Sequence, residues 1–359
     1  MIKQNEIMTD IYIHIGTHKT GSSTIQSALR STSKAHPEEG WRYARLTTAT
    51  ATEIMQTKLY DEKLVRRFKC ELQRTMRRVK STDKVILSSE ALSGLPIDGY
   101  RNSNAIFSML RDATKGHNVK IVIFLRRQDS FVESMYTQKI HEGGDLDFES
   151  FVNQFNSHDA LDYHRMLTDL RSYFGDQDVI VRSYHASSNR DLLTDFGDII
   201  GSKALRYCEQ VDKNPSYSRQ ALEIARICNR SLGASRKRQL RHALQTVMAK
   251  KRSEPFSYFT DDSRTRFLNR YNSSNLDVAN RYFDGNLEKL FPPPEASKPS
   301  YNDDSLSYDD VAELVIQILN ENPIDNKRSG ILAGIRFTRS DHPPLRRLMQ
   351  KVQGAFRRH

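Results

Sequence analysis

From position 11 to 26 the chain reads Ile-Tyr-Ile-His-Ile-Gly-Thr-His-Lys-Thr-Gly-Ser-Ser-Thr-Ile-Gln. An apolar, β-rich run enters a loop bracketed by Gly16 and Gly21, and a Ser/Thr-rich segment with Ile25 and Leu29 at helical spacing follows. Strand, glycine loop and helix start together aim backbone N–H groups and the positive end of a helix dipole at one point. That suits a phosphate or a sulfate. The competing reading is an ordinary strand–turn–helix start, with glycine for the turn and Ser/Thr for capping.

The lysine separates kinds of anion loop. A Walker A loop reads G-x-x-x-x-G-K-S/T, with lysine directly after the second glycine. Here the glycine spacing fits, but Ser22 holds the lysine's place and Lys19 sits inside the loop, where it points across the loop mouth. A second chemistry-bearing stretch follows the run Val119-Lys120-Ile121-Val122-Ile123-Phe124-Leu125, which has the continuous apolar pattern of a strand buried on both faces. It ends in Arg126-Arg127 and leads into a helical pattern through Phe131, Met135, Tyr136 and Ile140. An arginine pair at a strand end is commonly a solvated surface feature; a guanidinium aimed at a ligand grips phosphate through a bidentate fork.

The loop resembles the 5′-phosphosulfate loop of sulfotransferases that use 3′-phosphoadenosine-5′-phosphosulfate (PAPS), with its K-T/A-G-S/T-S/T core. The resemblance implies that Gly16, Thr17, His18, Lys19, Thr20, Gly21, Ser22, Ser23 and Thr24 hold the cofactor. Amides of Thr20 to Thr24 and the Ser22 and Ser23 hydroxyls would cradle the 5′-phosphate, with Lys19 on the sulfonate. The family also binds the 3′-phosphate with an arginine at a strand end and a serine eight positions on, which Arg126 and Ser134 match, and Tyr136 continues the family's S-x-Y ending. Ser88-Ser89-Glu90-Ala91-Leu92-Ser93 resembles the S-S-E-x-L-S segment of bacterial members, and weaker likeness runs from residue 10 to about 320.

An alcohol acceptor needs a base. Glu90 ends the strand after the loop-bearing one, and a Glu or His plays that part in related carbohydrate sulfotransferases. Burial there would raise a carboxylate's pKa toward neutrality. The alternative is a capping glutamate or one paired with Lys19. His18 and His141 are the lesser candidates for the base, whereas His14, within the strand, reads as a satisfied core histidine. Trp41 and Tyr43 either line an acceptor cleft or simply pack on an edge strand. The resemblance implies a carbohydrate or glycolipid hydroxyl as acceptor, PAPS as cofactor and no metal.

Alternation of apolar strands with amphipathic helices predicts an α/β fold: a P-loop-like central parallel sheet flanked by helices, with a helical C-terminal extension. Strands are expected at 11–15, 84–88, 119–125 and 178–183, with an edge piece near Tyr43. Helices are expected at 22–33, 61–79, 103–115, 129–141, 162–174 and 190–200, and the charged stretch 217–290 reads as helical throughout. The motif segments then fall at the C-terminal ends of parallel strands, where ligands bind in open sheets. An α/β domain over 1–295, a linker with a packed helix over 296–321 and a basic tail over 322–359 complete the expected organisation.

The 359 residues suffice for a large core, and the net charge of +11 is concentrated. Residues 224–253 carry nine Lys/Arg and no acid, and 322–359 carry nine against Asp325 and Asp341, which leaves −5 for everything else. The first patch reads equally as a solvated helix pair or as a basic face for an acidic acceptor. Leu345, Leu348, Met349, Val352 and Phe356 give 344–358 the pattern of a basic amphipathic helix for a membrane surface or a partner, with a disordered tail as the alternative. Cys70, Cys208 and Cys228 lack metal-ligand spacing and favour a reducing compartment. With no run of transmembrane length or secretory pattern, a cytoplasmic protein, peripheral to a membrane if the tail binds one, is expected. A P-loop kinase or NTPase is the enzymatic rival. A basic nucleic-acid-binding protein is the other, disfavoured because the basic runs lack interleaved aromatics.

Overall fold

The computed structural model describes residues 8–77, 83–155, 160–184, 189–208, 218–248 and 256–293. Five strands form one parallel sheet: β1 (Asp10–His14), β2 (Trp41–Ala44), β3 (Lys84–Ser88), β4 (Asn118–Leu125) and β5 (Val179–Ser183). Their order is β2-β3-β1-β4-β5. Chain order thus reverses at β1, which pairs with β3 (Ile11 opposite Val85) on one side and β4 (Ile11 opposite Val119) on the other. A crevice opens beyond the C-terminal end of a strand at such a switch point, and the glycine loop leaves β1 there.

The helices are α1 (Ser22–Ala35), α2 (Thr48–Gln56), α3 (Glu62–Met76), α4 (Ser103–Ala113), α5 (Gln128–His141), α6 (Phe148–Val152), α7 (Tyr163–Phe174), α8 (Asn189–Ile200), α9 (Arg219–Asn229), α10 (Ala234–Met248), α11 (Asp261–Asn269), α12 (Asn272–Tyr282) and α13 (Leu287–Leu290). The expected α/β architecture and its helical C-terminal part are present. Helix α2 was not expected: Thr-Ala-Thr-Ala-Thr has weak helix propensity. Its cap explains it, since the Thr47 hydroxyl accepts from the Thr50 amide and both threonine hydroxyls donate to the buried carboxylate of Glu71.

Contacts divide the chain into two compact units. The first comprises residues 1–132, 152–211 and 263–294 and contains the whole sheet. Alternate strand residues face opposite sides. Ile86, Val122 and Phe124 pack with Ile25 and Leu29 of α1 and with Leu192, Phe196 and Ile200 of α8. The intervening residues, among them Ile121 and Ile123, are equally buried, and α7 packs on β4 and β5. Trp41 is 1 % exposed within the α1 cluster and donates to Glu39 (3.1 Å), with Tyr43 packed beside it. Of the two readings of this pair, packing is the one realised by Trp41.

The second unit comprises residues 133–151, 212–262 and 295–359. Its core is aromatic: Tyr136, Phe148, Phe151, Tyr258 and Phe259 meet mostly edge to face, and Glu133 accepts from the Tyr258 amide at 2.7 Å. The Asn229 amide caps the turn after α5 by donating to the Ile140 and Gly144 carbonyls (2.9 and 2.8 Å). The basic stretch supplies α10, where Lys237 donates to the Gly143 carbonyl at 2.8 Å. The expected linker, packed helix and basic amphipathic segment, all beyond residue 295, lie outside the described residues. No described helix is long and apolar enough to cross a membrane.

Candidate active site

The loop 16–21 runs from β1 to α1 beside β4. It is anchored from below: the Ile15 amide donates to the Val122 carbonyl (3.0 Å), and the Thr17 amide and hydroxyl both donate to the Phe124 carbonyl (3.2 and 3.0 Å). The Thr20 hydroxyl closes the turn on the Thr17 carbonyl at 2.5 Å. Three residues take the left-handed conformation: Gly16 (φ 48°), Lys19 (φ 65°) and Gly21 (φ 76°). Glycine is required at 16, because a Cβ would lie 2.6 Å from Ser22 Oγ, and at 21, where it would strike Leu192. At Lys19 the left-handed conformation costs about 1–2 kcal/mol.

Helix α1 begins without help. Gly21 is its N-cap and offers no side-chain acceptor, and the first turn contains no acid. The Thr24 and Ile25 amides return to the Gly21 carbonyl (3.0 and 3.1 Å), so the Ser22 and Ser23 amides are the ones left with no place in the helical ladder. The Ser22 hydroxyl, 5 % exposed, has no hydrogen-bond partner in the protein. Bare amides, a dipole end and an orphaned hydroxyl at one point fit an anionic group.

The expected loop contacts therefore sort by occupancy. The amides of Thr17 and Thr24 are spent within the protein, and the His18 amide donates to the Tyr100 hydroxyl at 2.9 Å. Tyr100 is fully buried, is itself left-handed (φ 66°), and lies 3.4 Å from His18 Nδ1 as well. Burial and then the Lys19 charge push the His18 pKa down to about 3, and burial pushes the Tyr100 phenol well above its usual range. His18 is thus a weak base held on a tyrosine.

Arg126 follows β4 and reaches the loop from the other side. Its Nη1 donates to the Lys19 carbonyl (2.8 Å), Nε and Nη2 both donate to Ser130 Oγ (3.2 Å each), and the guanidinium lies 5.4 Å from the Tyr184 ring centre. Ser134, the serine expected beside this arginine, lies four residues beyond Ser130 on α5. Arg127 turns away and forms a bidentate pair with the buried Asp129 (2.7 and 3.0 Å), itself shared with Arg264, and donates to the Pro292 carbonyl. Of the adjacent arginines, Arg126 serves the glycine loop and Arg127 the buried pair with Asp129.

Glu90 sits just past β3, whose next residue, Ser89, donates its amide to the His14 carbonyl (2.9 Å). The carboxylate is half-buried and accepts from Gln26 Nε2 of α1 at 2.6 Å. Its partner is thus an amide rather than a lysine. His141 ends α5 in the second unit. His14 departs from the satisfied core histidine expected: Nδ1 bonds Ser88 Oγ (2.8 Å), but Nε2 is buried without a partner, so the ring is only half satisfied.

Gln26, Tyr100 and Ser130 were not singled out from sequence. Gln26 and Ser130 lie near the starts of α1 and α5, the helices that follow the loop and Arg126, a placement legible in the sequence. Tyr100 gave no signal. Among the described residues no cluster of His, Cys, Asp and Glu could hold a metal ion.

No family model matches this chain. An uncharacterized protein of Archaeoglobus fulgidus is 27 % identical over 206 residues, which span 55 % of this chain and 54 % of that protein. The chain therefore matches about half the length of that relative. A crystal structure of a sulfotransferase from Alicyclobacillus acidocaldarius is similar over 56 % of this chain and 86 % of its own, with 15 % identity and a TM-score of 0.36.

Proposed function

We propose that this protein is a PAPS-dependent sulfotransferase acting on a hydroxyl of a carbohydrate or glycolipid. The observation that supports the reading is the bond from Arg126 to the Lys19 backbone carbonyl, which holds the guanidinium against the glycine loop across 107 residues of sequence. When bound, PAPS supplies the sulfuryl group and a bisphosphate leaving group. The Ser22 and Ser23 amides and the Ser22 hydroxyl would hold its 5′ end, with Lys19 across the loop mouth, and Arg126 with Ser134 its 3′-phosphate.

Sulfuryl transfer needs in-line positioning and charge stabilisation rather than covalent help from the protein. Lys19 places a cation where negative charge grows on the leaving oxygen, and the amides at the start of α1 add fixed dipoles there. Glu90, oriented by Gln26, takes the proton of the acceptor hydroxyl. Acidic groups on the acceptor would be complementary in charge to the basic stretch 224–253. A cytoplasmic setting, with membrane contact through 344–358 and no nucleic-acid partner, belongs to the same proposal.

The test is calorimetric titration of 3′,5′-bisphosphoadenosine into wild type, Lys19→Ala and Arg126→Ala, with 5′-AMP and ATP as controls. Binding that requires the 3′-phosphate and weakens in Arg126→Ala is expected. Preference for ATP with Mg²⁺ would replace this reading with a kinase or NTPase.

A further inference from the structure

Beneath the loop lies a group that no part of the proposed reaction uses. His14, the last residue of β1, is fully buried, and its ring stands edge-on to Phe124 (5.7 Å between centres) and Phe196 (5.4 Å). Nδ1 bonds Ser88 Oγ at 2.8 Å, and Nε2 has no partner in the protein. Ser22 Oγ is the other orphan. Both converge on Gly16: the point a Cβ would occupy there is 2.6 Å from Ser22 Oγ and 3.5 Å from His14 Nε2. A buried polar group without a partner is costly, and two facing the same small space share one remedy.

Chemistry sets the direction of that remedy. A serine hydroxyl that donates outward to an anion leaves its lone pairs for a donor from behind. Only the Nε2–H tautomer of His14 supplies one, and that tautomer follows if the Ser88 hydroxyl donates to Nδ1. Burial pushes the His14 pKa down to about 3, so the ring stays neutral and contributes a dipole rather than a charge. Gly16 keeps clear the space through which the Ser22 hydroxyl would turn.

We propose that His14 is a positioning residue of the anion loop: Ser88 fixes its Nε2–H tautomer, and on anion binding Nε2–H donates to Ser22 Oγ and turns the hydroxyl hydrogen toward the anion. The proposal rests on reading the loop as an anion site, but not on PAPS being the anion.

The experiment is ¹⁵N NMR of the histidine side chains in the full chain, with His14 assigned by the signal lost in His14→Gln. Inorganic sulfate, pyrophosphate and 3′,5′-bisphosphoadenosine are added in separate arms. The expected result is a neutral ring with a protonated Nε2, whose resonance moves on anion addition in wild type and stays still in Ser22→Ala. In Ser88→Ala, which leaves the loop intact, the signal should become a mixture of tautomers. Movement with sulfate or pyrophosphate but not with the bisphosphate would uphold the role of His14 and remove the PAPS reading. An Nδ1–H tautomer, an Nε2 resonance indifferent to every anion, or the same movement in Ser22→Ala would overturn the proposal.

Discussion

Arg126 Nη1 donates to the Lys19 carbonyl at 2.8 Å, so an arginine after β4 fixes the backbone of the loop after β1. The two strands are neighbours in the sheet, and the loop amides of Ile15 and Thr17 already rest on β4 carbonyls. The arginine therefore holds the loop, and in the proposed reaction it also meets an anion. Its substitutions should separate the two tasks. Arg126→Ala should weaken 3′,5′-bisphosphoadenosine binding by about 10–100-fold, the scale of a lost charged hydrogen bond of 1.5–3 kcal/mol. Arg126→Lys should recover little of it, because an ammonium cannot donate to the Lys19 carbonyl and to Ser130 Oγ in the same forked geometry. Titration calorimetry reads both. Full recovery in Arg126→Lys would show that charge alone matters.

Lys19 offers a contrast between stability and turnover. It is a non-glycine residue at φ 65°, in a loop whose other left-handed positions are glycines. Lys19→Gly should be more stable than Lys19→Ala by up to about 1–2 kcal/mol, since alanine retains the left-handed penalty and glycine does not. Both should lose sulfuryl transfer. Urea midpoints for the pair check the first statement, and equal midpoints would mean that the loop relaxes out of the left-handed conformation.

Much of this architecture is legible in sequence, and the reason is physical. β4 reads as a strand because five successive residues from Ile121 to Leu125 are buried on both faces, which demands an unbroken apolar run. The loop is legible because glycine at positive φ is a local requirement. What sequence conceals is pairing across distance. That Gln26 rather than Lys19 meets Glu90, that Arg127 serves Asp129 while Arg126 serves the loop, and that Tyr100 reaches the His18 amide all depend on where helices land on the sheet. Helix α2 escaped because its stability comes from Glu71, more than 20 residues away.

Glu90 is the expected base, and its test must separate chemistry from binding. Glu90→Gln should cut turnover by about 10²–10⁴-fold, the usual contribution of a positioned general base. Affinity for 3′,5′-bisphosphoadenosine should stay within about twofold of wild type, because the carboxylate's bond is to Gln26 and not to the loop. Gln26→Leu should lower turnover by a smaller factor while leaving the same affinity unchanged. Single-turnover rates and calorimetry on both variants decide it, and an unaltered rate in Glu90→Gln would pass the role to another group.

Tyr100→Phe probes the far wall of the loop. Removing the hydroxyl leaves the His18 amide without its acceptor in a buried place, which should cost about 1–3 kcal/mol of stability. The ring itself stays packed on Phe131, 5.9 Å between centres, so no cavity term adds to this. Denaturant unfolding measures it, and a cost near zero would mean that the amide finds another acceptor as the loop shifts.

Acid should destabilise this protein through His14. Its folded pKa is lowered from 6.5 to about 3, so between those values the unfolded chain binds a proton that the folded chain refuses. Stability therefore falls as pH drops below about 6.5, with His14 contributing up to about 1.4 kcal/mol per pH unit until its folded pKa is reached. The contribution is absent in His14→Gln, where nothing titrates. Urea unfolding of wild type and His14→Gln at pH 7.5, 6.0 and 5.0 should show the gap between them closing or reversing as pH falls, even if glutamine is the less stable at pH 7.5. Parallel stability curves would mean that the folded protein accepts a proton on His14, and hence that the ring is not held neutral beneath the loop.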